Sequence, residues 1–493
     1  MEFLRKYQSW AWLLLLIPIY FFIFWRLDGF QIRLWDESYY AVHVTEMLRQ
    51  NSWMVQYFNG EPVNWGTKPL LQTWIQMIFI QVLGNGELAL RLPSAIAAAM
   101  TVLISFHYVR NRFGELSAWI TALVLLTSVG FITFHTGRGA ESDALLALLM
   151  FLQVVFFARY ITEQQGSDLI VFGVLIALAF LAKSIAGFLF VPGVALYLIL
   201  LDRELLGKML RSWQLYVAVF LAVGVPVVYI YVRETLHPGM IDFMLDRQVS
   251  RLSDSIDFTT TRWHYVNNLI TWSNLMWSTI TLAGIYIAFR LKVAASKEAR
   301  LIAMVAVSYF LIITISSTRH VHYLNPFYPL IAILSGLLFG YLMEGRPRKD
   351  VVILTALLFV APFYHMYKRT KGSVGDAGSA SVEMSAKYLC EAIKRGENLE
   401  GLKVMYEGFN AALVYYQLVL EEKGQKIYIT NWGIEPGDRV LNCVPHYQRD
   451  LQKRFVVDTL DQHKNAFVVQ IVEKRRRSEA VAEGPVTNQV ETP

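Results

Sequence analysis

The feature that most limits what this chain can become is a series of apolar runs, each about 15 to 21 residues long, enough to cross roughly 30 Å of hydrocarbon as a helix. They begin near Trp10, Leu92, Leu116, Ala144, Leu169, Ile185, Trp213, Trp272, Leu301, Tyr323 and Val351, which predicts about eleven crossings. With 55% hydrophobic and 17% charged residues and a mean hydropathy of +0.38, a soluble globular enzyme of 493 residues is excluded. The first run leaves the membrane through Trp25-Arg26-Leu27-Asp28 with no small-residue cleavage site, so it is expected to stay as an anchor. The stretch from Leu70 to Leu83 is shorter and carries Gln72, Gln76 and Gln81 at helical spacing, which predicts an interfacial helix rather than a span.

Leaving that stretch out of the count sorts the loops by charge, because cytoplasmic loops carry the excess of Lys and Arg. Arg110 and Arg112, then Arg203, Lys208 and Arg211, then Arg290, Lys292, Lys297 and Arg300, then Arg346, Arg348 and Lys349 alternate onto the side of Arg5 and Lys6. The opposite, extracytoplasmic side receives residues 28–91, 135–143, the Lys183-Ser184 turn, 233–271, 317–322 and everything after about 368. Its loops contain carboxylates, histidines and cations, whereas the inside loops are basic connectors without a phosphate-cradling glycine loop. A group transfer on that outer face has no supply of soluble nucleotide sugars. Its donor must arrive activated and through the membrane, and a polyprenyl-phosphate-linked sugar meets that requirement.

Five elements of the outer face then form a recognisable set. They are Trp35-Asp36-Glu37-Ser38-Tyr39-Tyr40-Ala41; Phe58-Asn59-Gly60 with Thr67-Lys68-Pro69-Leu70-Leu71-Gln72-Thr73-Trp74; Arg91-Leu92-Pro93-Ser94; Glu141-Ser142-Asp143-Ala144-Leu145-Leu146; and Phe180-Leu181-Ala182-Lys183-Ser184-Ile185-Ala186-Gly187 followed by His322-Tyr323-Leu324-Asn325-Pro326. Over about residues 10 to 345 these resemble the GT-C membrane glycosyltransferases, in particular the bacterial branch that contains the lipid A aminoarabinose transferases and relatives of the dolichyl-phosphate-mannose protein mannosyltransferases. The resemblance implies an all-α polytopic membrane protein of the GT-C fold, in the inner (plasma) membrane with a cytoplasmic N-terminus. It also implies an inverting glycosyltransferase that takes its sugar from a polyprenyl phosphate. The acceptor is a glycolipid such as lipid A, a surface glycan or a protein.

In that family the acidic residue of the first loop is the base, a position held here by Asp36; Glu37 would orient the acceptor or a neighbouring cation, and Asp143 occupies the second-loop acidic position. The other reading of these carboxylates is helix capping at a polar interface, for which Asp143 is well placed. Cations at the outer boundary, Lys68, Arg138, Lys183 and Arg319, are candidate contacts for the donor phosphate, against a plainer reading of Lys68 as a snorkelling lysine. Tyr39, Tyr40, His264, His322 and Tyr323 are candidate substrate contacts. A divalent metal is left open and no cofactor is assigned: the family's aminoarabinose branch has a glutamate before the Lys-Pro pair, where this chain has Thr67, and no histidine follows Asp246-Arg247-Gln248-Val249-Ser250-Arg251 until His264.

The polar segment from Arg233 to Thr271 suits either a lid over the donor site or a solvated amphipathic helix, and Trp263, Trp272 and Trp277 suit interfacial anchors. The division expected is a membrane domain over 1–367, a linker at Lys371-Gly372-Ser373-Val374-Gly375-Asp376, a small extracytoplasmic α/β domain over 368–475 and a disordered tail over 476–493. The two cysteines, Cys390 and Cys443, either pair or are buried thiols. The net charge of +6 comes mostly from the inside loops and the basic start of the tail, so nucleic acid is not a partner, and no feature speaks to an oligomeric state. A transporter or flippase of lipid-linked sugars is the competing class, but the chain lacks a convincing internal repeat and its charges sit at the ends of crossings.

Overall fold

A computed structural model describes residues 10–475 apart from 65–67, 134, 254–262, 271–274, 291–294, 344–348, 375, 377, 379 and 464–465. The expected disordered tail and Thr67 lie outside the described residues. Among the described residues six helices are long and apolar enough to cross a membrane: Glu87–Phe113, Asp143–Glu163, Gly166–Phe188, Trp213–Leu236, Ser296–Ile315 and Val321–Leu342. Shorter apolar helices run over Ala11–Phe24, Leu71–Leu83, Glu115–Thr127 and Val191–Leu201. The chain forms two compact units, one of residues 1–28 and 46–375 and the other of residues 29–45 and 376–493.

The first unit is a helical bundle. Asp143–Glu163 packs against Gly166–Lys183, Gly166–Lys183 against Trp213–Leu236, and Glu115–Thr127 and Leu275–Arg290 both against Tyr328–Leu342. Between lipid-soluble helices no hydrophobic force separates partner from solvent, so close backbone approach at small residues supplies the attraction. Gly336 shows it: a β-carbon there would lie 2.5 Å from the carbonyl oxygen of Ser117 on the facing helix. Trp213–Leu236 turns Trp213, Tyr216, Phe220, Val227, Val228 and Tyr231 outward, an apolar exterior that only a lipid environment satisfies. Leu71–Leu83 is a 13-residue helix whose Gln72, Thr73 and Gln76 are buried, so two of the three glutamines that break its hydropathy face protein, while Gln81 is exposed. The expected linker begins inside a helix, since Lys349–Ser373 continues through Lys371.

The second unit is built on a five-stranded sheet. With strands β1 (Gln56–Phe58) and β2 (Glu61–Val63) forming a hairpin in the first unit, its strands are β3 (Lys403–Val404), β4 (Tyr428–Ile429), β5 (Arg439–Asn442), β6 (Phe455–His463) and β7 (Ala466–Lys474), in the order β4-β3-β5-β7-β6. β3 runs parallel to β4 and β5, with Lys403 opposite Tyr428 and Val440, and β7 is antiparallel to both β5 and β6. The helices Ser381–Arg395 and Ala411–Glu422 supply buried Leu389, Leu413, Tyr415, Tyr416 and Leu420. Cys390 and Cys443 are both buried thiols. The sequence division left residues 29–45 with the membrane domain; by their contacts they group with 376–493, and the start of helix Asp36–Arg49 goes with them.

Candidate functional site

The loop over residues 135–142 of the first unit is held from several sides by buried polar side chains. Gln76 Nε2 donates to the carbonyls of Leu90 (2.8 Å) and Ala140 (2.7 Å). Gln72 Nε2 donates to Ser94 Oγ at 3.0 Å, and Ser94 Oγ donates to the Glu141 carbonyl at 2.8 Å. Each bond satisfies a carbonyl or hydroxyl that would otherwise be costly to bury. The two glutamines four residues apart in an apolar run were the sequence's signal for this clamp, although they suggested only an interface.

Arg138, a candidate phosphate contact, lies among backbone carbonyls. Its Nη1 donates to the carbonyls of Ile23 (3.1 Å) and Trp25 (3.0 Å), closing the end of the first apolar helix, and the residue is 2% exposed. Four orphan carbonyls and a partial negative charge at a helix C-terminus suit a guanidinium there. This placement answers a structural need of the first apolar helix.

Asp143 and Lys183 come together. Helix Asp143–Glu163 starts at Asp143, and helix Gly166–Lys183 ends at Lys183, so in this antiparallel pair the carboxylate sits at a positive helix end and the ammonium at a negative one. Lys183 Nζ donates to Asp143 Oδ1 at 2.7 Å and Oδ2 at 2.8 Å, Asn325 Nδ2 lies 3.5 Å from Oδ1, and the ammonium also sits 5.6 Å from the centroid of the Tyr323 ring. The chain turns sharply after the lysine, with Ser184 at φ +52°, a left-handed conformation costly for a residue with a side chain.

Imidazoles line the approach. His322 stacks on His320 at 5.1 Å between centroids, and the His135 ring is 5.0 Å from it. His135 Nδ1 is 3.3 Å from the fully buried carboxylate of Glu141, and the positive charges of Lys183 and Lys68 both bear on the His322 ring. Lys68, Lys183, Asp143, His322 and Tyr323, chosen separately from the sequence, therefore occupy one neighbourhood, joined by His135, Glu141, His320 and Asn325, which sequence reasoning did not select. Asp143, Lys183, His322 and Tyr323 open onto a cavity of about 530 Å³ whose remaining wall is largely apolar, including Ile185, Leu189, Ile312 and Ile313.

Arg319 Nε donates to the Thr314 carbonyl at 3.3 Å. His264 is held below the ordinary histidine value, first by partial burial and then by the charge of Arg319. Among the described residues no group of three or more His, Cys, Asp or Glu side chains is placed to hold a metal ion.

In the second unit, Asp36 opens helix Asp36–Arg49 and is half-buried. Glu37 is fully buried and its Oε2 accepts from the Arg33 N–H at 2.8 Å, closing the turn that leads into the helix. Tyr40 is 2% exposed, and Tyr39 packs edge-on against His43 with 3.8 Å between ring centroids. Trp35, immediately before Asp36, holds φ +69°, is 65% exposed and stacks on Phe409 at 5.3 Å.

Comparison with known proteins bears on this arrangement. Residues 67–230 match the dolichyl-phosphate-mannose-protein mannosyltransferase family. The chain is 24% identical over 279 residues to undecaprenyl phosphate-alpha-4-amino-4-deoxy-L-arabinose arabinosyl transferase 2 of Pseudomonas fluorescens, a match covering 55% of this chain and 47% of that protein. It thus spans under half the length of the curated relatives it first matches. Its fold is that of ArnT from Cupriavidus metallidurans, solved bound to undecaprenyl phosphate, with a TM-score of 0.67 at 15% identity over 94% of this chain and 98% of that one. The apo oligosaccharyltransferase of Archaeoglobus fulgidus is similar at TM-score 0.56 and 13% identity, over 93% of this chain and 70% of that one. The chain therefore carries the GT-C fold of the membrane glycosyltransferases and, over residues 67–230, is related to the dolichyl-phosphate-mannose-protein mannosyltransferases.

Proposed function

We propose that the protein is an integral membrane glycosyltransferase that moves a sugar from a polyprenyl phosphate to a hydroxyl or phosphate acceptor on the extracytoplasmic face. The observation that carries the reading is the cavity of about 530 Å³, in which the Asp143–Lys183 pair and His322 form a polar end under an apolar wall. A donor with a sugar phosphate at one end and an isoprenoid chain at the other has the same division. The relatives named for undecaprenyl-phosphate aminoarabinose transfer and the ArnT fold support the same donor class.

In this reading the acceptor oxygen attacks the anomeric carbon from the face opposite the phosphate. Its proton passes to the Asp36 carboxylate, the bond from the anomeric carbon to the phosphate oxygen breaks, and polyprenyl phosphate leaves with inversion. Lys68 and Arg319 stabilise the departing phosphate. Lys183, already neutralised by Asp143, is suited to sugar hydroxyls more than to a phosphate. About eleven crossings with a cytoplasmic N-terminus put residues 376–475 on the outer side of the plasma membrane. No observation favours the carrier reading.

The test is mass spectrometry of lipid A, surface glycans and envelope proteins from cells with and without the gene, complemented by wild type or Asp36→Asn. A sugar mass lost with the gene and restored only by wild type supports both the activity and the base. Restoration by Asp36→Asn removes Asp36 from that role, and unchanged sugar masses in a strain that makes the protein sink the transferase reading.

A further inference from the structure

The segment that leads into Asp36 is bonded to residues almost the whole chain away. The buried Ile32 N–H donates to the Tyr416 hydroxyl at 2.9 Å, across 384 positions of sequence. Gln31 Nε2 donates to the Asp376 carbonyl at 3.2 Å, and the Leu34 N–H lies 3.5 Å from Glu383 Oε1. Trp35 then stacks on Phe409, its planes 10° apart. Four of the five residues before Asp36 are thus held by four different residues of the C-terminal segment, all inside one compact unit. Trp35 keeps a left-handed backbone in spite of its side chain, a conformation that persists only when neighbours over-determine it.

We infer that the C-terminal α/β body is the holder of the Asp36 loop, with Tyr416 and Phe409 as positioning residues for the carboxylate. The inference rests on the reading of Asp36 as the base. Tyr416 is 2% exposed and its phenol oxygen meets a buried backbone donor; Phe409 supplies the plane that sets the Trp35 side chain and so the direction in which helix Asp36–Arg49 begins. Neither residue needs to touch substrate. A general base must be within hydrogen-bond reach of its proton, and small misplacements cost rate steeply, so a loop that Asp36 shares with nothing rigid would be a poor base.

The test uses full-length protein with Tyr416→Phe, Phe409→Ala and Phe409→Tyr, and with Leu451→Ala as a control in the core formed by Met405, Val440, Phe455 and Ile471 of the same body. Hydrogen exchange of peptides over 29–40, measured without substrate, should rise about tenfold or more in Tyr416→Phe and Phe409→Ala and stay near wild type in Phe409→Tyr. Undecaprenyl phosphate should bind all variants within about twofold of wild type. Sugar product per molecule of protein in complemented cells should fall about tenfold to a hundredfold in the first two variants. Phe409→Tyr should restore it, and Leu451→Ala should lower the unfolding temperature without that loss. Unchanged exchange in both loosened variants overturns the inference, as does raised exchange with wild-type product. If wild type itself forms no sugar product, the assignment of Asp36 falls and the positioning role with it, while the exchange data still decide whether the body holds the loop.

Discussion

Lys183 Nζ lies 2.7 Å and 2.8 Å from the two carboxylate oxygens of Asp143, an ammonium in the last turn of one helix clasped by a carboxylate in the first turn of the helix before it. The lysine side chain is 12% exposed and the aspartate 2%, so each charge depends on the other for compensation. Replacing Asp143 by Asn or Lys183 by Ala should each cost about 2–4 kcal/mol, because the surviving charge is left buried without its partner. The double change Lys183→Met with Asp143→Leu should cost less than the sum of the singles. Thermal unfolding of the purified variants in one detergent checks this; additive losses would mean that the pair is not coupled.

Gln76→Leu keeps the volume of the side chain and removes both of its donated bonds. The Ala140 carbonyl then loses a buried partner, which should destabilise by about 1–3 kcal/mol and loosen the loop that carries Glu141. Faster proteolytic cleavage or hydrogen exchange within 133–142, with residues 381–395 unaffected, is the expected pattern.

Burial pushes the Cys443 thiol up to about 11, although the Ser385 hydroxyl pulls slightly the other way. The folded value lies above the unfolded value of about 9, so the folded state holds its proton more tightly. Its contribution to stability is fully present below about pH 9 and is lost as pH rises through about 11. At pH 8 the native protein should react with iodoacetamide at Cys443 at least about tenfold more slowly than the same chain in denaturant. Equal rates would show that the thiol is accessible.

The His264 ring is held below 6.5, with burial as the larger cause and the Arg319 charge as the second. Here the unfolded chain binds the extra proton, so the contribution is intact above pH 6.5 and is lost as pH falls below it. Arg319→Gln should raise the histidine toward its ordinary value. Following the His264 ring signal in a pH titration by NMR should give a lower midpoint in wild type than in the variant; coincident midpoints would contradict the coupling.

Much of the bundle was legible because apolar runs and basic loops are one-dimensional signals, readable without knowing what packs on what. The same holds for Lys68, Asp143, Lys183, His322 and Tyr323, which lie at ends of apolar segments and meet in space because those ends do. What stayed illegible needed partners distant in sequence. Arg138 looked like a boundary cation, and nothing in its neighbours announces the carbonyls of Ile23 and Trp25 that it closes. Glu37 looked like half of an acidic pair, yet a bond to the Arg33 N–H four residues back makes it a cap. Phe409 and Tyr416 carried no motif at all, and their importance appears only once Trp35 and Ile32 lie against them.

The bond between Ile32 and Tyr416 also has a meaning for the birth of the molecule. A ribosome adding about 5–20 residues each second needs roughly 20 to 80 s to travel the 384 positions between them. Throughout that interval the N-terminal segment waits without its partner, and contacts of such long sequence separation are among the slowest to form. Until Tyr416 has been made, the nascent chain lacks the hydroxyl that holds the Ile32 N–H, and a chain terminated before that point never gains it.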